Sequence, residues 1–181
     1  MGKTSQGVTT SVLGCALFLV PGNVGAAEPT LLAVSAGAFD CYKQVNPAAE
    51  LGLQWRGSGR LWRLGPMAGA MATTDGAFNA YLGMSLDVPL GEHLALRASV
   101  APGAYAKGRG KELHSVFQIR SGIEAAWRFG TRLRVGVELY HLSNADLTEV
   151  NPGEESLVLT VAVPLSRSTA SRASGPSSSE P

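Results

Sequence analysis

Charge is scarce in this 181-residue chain. Lys, Arg, Asp and Glu make up 16% of it, 15 basic against 14 acidic, for a net +1. An ordinary soluble domain carries about 25%. So even a balance excludes a nucleic-acid binder held by bulk electrostatics, which is strongly basic. Cysteine is nearly missing, with only Cys15 and Cys41. No uninterrupted apolar run approaches the roughly 18 residues of a membrane-spanning helix. Disorder is excluded from the other side, because 45% of the chain is hydrophobic and disordered chains are poor in such residues. What remains is a small globular domain or a membrane β-barrel, which hides apolar residues by alternating them with polar ones.

Both ends separate from the fold. Lys3, an apolar stretch at 11–20, the Pro21-Gly22 break and Gly25-Ala26-Ala27 follow the order of a secretory signal peptide,. The expected leader is residues 1–27, with a mature start at Glu28. The Leu13-Gly14-Cys15 run is no lipobox, since its apolar stretch follows the Cys. Cleavage would remove Cys15 and leave Cys41 without an intrachain partner. Residues 166–181 are Ser-rich with no large apolar side chain, and read as a flexible tail. The fold is therefore expected in residues 28–165. Eight strands of about ten residues would need roughly 80 of these, leaving the rest for seven connections.

Alternation supports that count. In 132–143, Leu133, Val135, Val137, Leu139, His141 and Ser143 share one face, and Arg134, Gly136, Glu138, Tyr140 and Leu142 the other,. In 155–165, Glu155, Leu157, Leu159, Val161, Val163 and Leu165 oppose Ser156, Val158, Thr160, Ala162 and Pro164. Stretches 117–129, 94–100, 78–88 and 49–56 repeat the pattern, while 31–38 and 61–72 show it weakly because small residues fill both faces.

One face is apolar and the other carries Arg, Glu, Gln and Asp. A soluble sandwich or lipid carrier turns the apolar face inward, and a membrane barrel turns it outward. Alternation cannot choose between them, but connection lengths favour the membrane. The connections at 56–60, 89–93 and 130–131 are short and fall second, fourth and sixth, as periplasmic turns do when both termini are periplasmic. Trp55, Trp62, Trp127 and Phe129 lie beside them, as an interfacial aromatic girdle would,.

His141, Ser143 and Glu155 then interrupt a lipid-facing stripe, where ionisable groups are costly and suggest function. His141 and Ser143 are two apart on one face, about 6.8 Å between Cα atoms. A hairpin register pairing 141 with 155 would set a carboxylate opposite the imidazole. A Ser-His-carboxylate triad is recognised by such geometry and not by chain order. The alternative is a set of polar strand ends at the headgroup level, and spacing alone does not decide.

The run His141-Leu142-Ser143-Asn144-Ala145, followed by Asn151-Pro152-Gly153-Glu154-Glu155-Ser156, resembles the C-terminal signature of the outer-membrane lipid A 3-O-deacylases (acyloxyacyl hydrolases). Phe117-Gln118-Ile119-Arg120 looks like that family's sixth strand. The resemblance implies an all-β, eight-stranded antiparallel transmembrane barrel in the outer membrane. It implies Ser143 as nucleophile, His141 as general base, Glu155 as its orienter and Asn144 as an oxyanion donor. The substrate would be the 3-position ester-linked acyl chain of lipid A in lipopolysaccharide, with the site near the extracellular leaflet. Glu154 is the rival acid, but its parity points into the barrel. Two features depart from the family: the last strand ends at Leu165 without an aromatic residue, and Asp146 stands where Gly is common. No cofactor, metal or nucleic acid is expected. His93 and His114 lack carboxylate or Cys partners at ligand spacing. A homodimer is compatible with the resemblance, which does not fix the oligomeric state. Lys107, Arg109 and Lys111 form a small basic loop, either simply solvated or in contact with lipid A phosphates. The competing function is a non-enzymatic outer-membrane barrel with a structural or adhesive role.

Overall fold

The computed structural model describes residues 29–58, 64–130 and 133–165. The expected leader, the Ser-rich tail, Cys15 and Trp62 lie outside them. The described residues form eight antiparallel strands: β1 (Leu31–Phe39), β2 (Ala48–Arg56), β3 (Leu64–Thr73), β4 (Phe78–Leu90), β5 (Leu94–Ala106), β6 (Phe117–Arg128), β7 (Arg134–Ser143) and β8 (Glu154–Pro164). Each strand pairs with the next, and β1 pairs with β8, so the sheet closes into a barrel without an edge,. β1 and β3 form in spite of their weak alternation, because each is hydrogen-bonded on both sides.

Closure also settles which face is inside. Leu51, Leu159 and Ile123 are 69%, 65% and 64% exposed, on the outer wall. Glu50, Gln54, Arg56, Arg97, Arg120, Glu124 and Glu138 are buried within the lumen. A water-soluble barrel would reverse this, since exposing so many aliphatic side chains opposes the hydrophobic effect. The outer wall is that of a protein embedded in lipid. Exposed Trp55, Trp127 and Phe129 ring the end bearing the short turns, and exposed Phe78 and Phe117 begin their strands at the other, loop-bearing end,.

The lumen is held by ion pairs, some between neighbouring strands and some across the barrel. Arg56 bonds Glu124 at 2.7 Å, Arg120 bonds Glu138 at 2.8 Å, and Asp87 takes Arg97 at 2.9 Å and Arg134 at 3.0 Å. The Arg120 guanidinium also stacks on Tyr140, 3.8 Å from the ring centroid, with Tyr81 at 4.9 Å on another side,. Buried guanidinium and carboxylate groups need such partners, since either one left alone in the interior is strongly destabilising.

Candidate active site

At the loop end, β7 and β8 pair in the register His141↔Glu155 and Leu142↔Glu154. Period-two alternation then sends His141, Ser143 and Glu155 outward, and Tyr140, Leu142 and Glu154 inward,. His141 Nδ1 lies 3.2 Å from Glu155 Oε1, on half-exposed side chains (41% and 25%). A carboxylate beside Nδ1 favours the tautomer with the proton on Nδ1, which leaves Nε2 as the acceptor.

Gly153 tells where Nε2 points. A Cβ built on Gly153 would lie 2.6 Å from His141 Cε1 and 3.3 Å from Nε2. The Cε1–Nε2 edge of the ring therefore faces the loop 144–153. Continuing the β7–β8 register by one step sets Gly153 level with Ser143. The structure thus brings His141 and Glu155 together, with Ser143 two residues on along the same face of β7. Ser121 of β6 is paired with His141 on its other side and is also outward, but it lies level with His141, away from the loop.

The loop after Ser143 is tightly organised. Asn144 is buried; its backbone N–H donates to Asn151 Oδ1 at 3.1 Å, and its side-chain Nδ2 donates to Thr148 Oγ1 at 2.6 Å and Val150 O at 3.0 Å. Asn151 Nδ2 in turn donates to Asp146 Oδ1 at 2.9 Å. Ala145 and Asp146 both adopt positive φ, 53° and 58°. That backbone explains why Gly suits position 146, and a short Asp is among the few side chains that tolerate it.

Neighbouring loops close over this end. Cys41 N–H donates to Glu155 O at 2.8 Å, and Lys43 Nζ donates to Pro152 O. Burial pushes the Cys41 thiol above its usual value. Of the basic loop, Lys111 is buried against Asp40, and Lys107 bonds Glu112 at 2.6 Å. Lys107, although paired with Glu112, and Arg109 are both exposed, and only Lys111 of the three is buried. Among the described residues no group of three or more His, Cys, Asp or Glu could hold a metal. Residue spacing did not disclose the steric role of Gly153 or the bracing by Asn151. Both belong to a loop, where no periodicity marks what a side chain meets.

A closed eight-stranded barrel with an apolar outer wall and a charged lumen defines an outer-membrane β-barrel. A family model described as Lipid A 3-O-deacylase (PagL) matches residues 39–164, more than half of the chain. The chain belongs to that lipid A 3-O-deacylase family. Among solved structures, one described as the outer membrane enzyme PagL superposes with a TM-score of 0.59 at 23% identity, covering 75% of this chain and 99% of that one. A de novo designed transmembrane β-barrel superposes with a TM-score of 0.53 at 11% identity, covering 75% of this chain and 95% of the design. These likenesses show the fold. No curated protein sequence matches this one.

Proposed function

We propose that this protein hydrolyses the 3-position acyl ester of lipid A through a lipid-facing triad of Ser143, His141 and Glu155. The observation that carries the reading is the His141–Glu155 pair on the apolar outer wall. A buried or half-buried ion pair facing lipid is a poor choice for stability alone. His141 Nε2 takes the Ser143 proton, and the Ser143 oxygen attacks the acyl carbonyl. Glu155 holds the ring and stabilises the imidazolium. The imidazolium then protonates the departing sugar oxygen, and a water activated by the same His releases the fatty acid. For Asn144 to serve the oxyanion, as the resemblance implies, one of its Nδ2 protons must leave Thr148 or Val150,.

An outward triad suits a substrate that never leaves the bilayer. The acyl chain stays against Leu139, Leu157 and Ile119 while the ester reaches the loop end. That end is the extracellular one if both termini are periplasmic, which places the site where lipopolysaccharide resides. The test is mass spectrometry of lipid A from a Gram-negative host expressing the chain. Wild type should remove one 3-linked acyl chain per lipid A, and Ser143→Ala should leave lipid A intact. Unaltered lipid A in the presence of folded wild-type barrel would refute the reading.

A further inference from the structure

Among the described residues, two lumen carboxyl groups have no cation bonded to them. Glu124, Glu138, Asp87 and Asp40 each contact an Arg or Lys. Glu50 and Glu154, both buried, have instead only hydroxyls and one backbone amide. Ser156 Oγ lies 2.7 Å from Glu50 Oε2 and 2.6 Å from Glu154 Oε1. Tyr140 Oη lies 2.6 Å from the same Glu50 Oε2, and Asp40 N–H donates to Glu154 Oε1 at 2.9 Å.

A hydroxyl has one proton, so Ser156 can donate to only one of these carboxyls. The other short contact needs a proton on the carboxyl itself, because two lone-pair oxygens that close repel. Both carboxyl oxygens that face Ser156 already accept one other donor, Tyr140 O–H at Glu50 and the Asp40 N–H at Glu154; what puts the extra proton on Glu154 is its second oxygen. The order is then Glu154 O–H to Ser156, and Ser156 O–H to Glu50. Glu154 Oε2 has no partner in the interior. An unpaired oxygen costs far less on a neutral carboxyl than on a carboxylate.

We propose that Glu50 and Glu154 share one proton through Ser156, and that this shared proton locks the start of β8 so that Glu155 meets His141. Glu154 is thereby a positioning residue, an inference resting on the triad reading above. The connection is covalent and short. Tyr140 and Glu154 adjoin His141 and Glu155 in sequence and project to the opposite face. Asp40 ties the loop 40–47 to Glu154, and its neighbour Cys41 ties the same loop to the Glu155 carbonyl. The surrounding charges do not replace the proton. Arg120 of β6 is bonded to Glu138 of β7, and Lys111 is bonded to Asp40. Tyr105 of β5 donates its own proton to the Lys111 carbonyl at 2.9 Å. Removing the proton leaves two like charges across one hydroxyl in a low-dielectric interior, and β8 must separate from β2 and from the loop.

The full-length barrel, folded in detergent, tests this with Glu154→Gln, Glu154→Ala and Glu50→Gln. Infrared spectra of wild type near neutral pH should show a protonated-carboxyl carbonyl band that Glu154→Gln or Glu50→Gln removes. The wild-type unfolding midpoint should fall as pH rises above about 4.3, the unfolded glutamate value, until the folded pair gives up its proton, the direction for a group whose proton is held more tightly when folded. Glu154→Gln should flatten that slope and keep deacylation at the alkaline end. Glu154→Ala should lower deacylation about tenfold at every pH, and Gln should rescue it. A spectrum without that band, or equal pH slopes in wild type and Glu154→Gln, would overturn the proposal. Both readouts are independent of activity, so failure of the deacylase reading shows separately, as intact lipid A with active-site residues unchanged.

Discussion

At the residue scale the account rests on which atoms face which. Ser143→Ala and His141→Ala should each abolish acyl release while the barrel stays heat-modifiable on a gel, since loss of one triad member commonly costs several orders of magnitude. Glu155→Ala should also lose most of its rate, because Nδ1 of His141 has its carboxylate partner there. Gly153 makes a sharper case. Its φ is +61°, and an added Cβ would overlap the imidazole at 2.6 Å. Gly153→Ala should therefore cost about 1 kcal/mol in backbone strain and displace the ring, lowering kcat by at least about tenfold. Kinetics on folded barrel checks this, and a wild-type kcat would show that Nε2 does not depend on the space Gly153 leaves.

At the scale of strands and loops, much was legible in the sequence. Period-two alternation placed six of the eight strands, the inward parity of Glu154 and the outward parity of Glu155. The register joining 141 to 155 was one that the hairpin allowed, and the structure has it. What alternation could not show was the meeting of lumen side chains from distant strands. Arg56 and Glu124 belong to β2 and β6, which become neighbours across the lumen only when the barrel closes. Lys111 illustrates the same limit in a loop: it reads as a solvated cation, yet it folds inward onto Asp40. Two predictions belong here. Glu124→Ala strips Arg56 of its carboxylate and should destabilise the barrel by about 3 kcal/mol, measured by the urea midpoint. Burial alone would raise the Asp40 carboxyl, but bonds from Lys111 and the Asn46 N–H outweigh it and hold the carboxyl below its ordinary value. A lowered carboxylate stabilises above its unfolded value and loses that contribution as pH falls through the folded one. Loop protection from proteolysis should therefore weaken in acid below about pH 4 in wild type. In Asp40→Asn it should already be weak at neutral pH.

At the scale of the whole molecule, the fold solves a substrate problem. An enzyme acting on a lipid need not extract it if the catalytic groups stand on the lipid-facing wall. The charged lumen supports that wall through its network of ion pairs. The central claim is that Ser143, on the outside of the barrel, is the nucleophile. The direct measurement is labelling of the detergent-folded protein with a long-chain fluorophosphonate, in which the serine oxygen displaces fluoride, followed by peptide mass spectrometry. The account predicts one stoichiometric adduct on Ser143, lost in Ser143→Ala and in His141→Ala. An adduct on Ser121, or none on a barrel that deacylates lipid A, would contradict it.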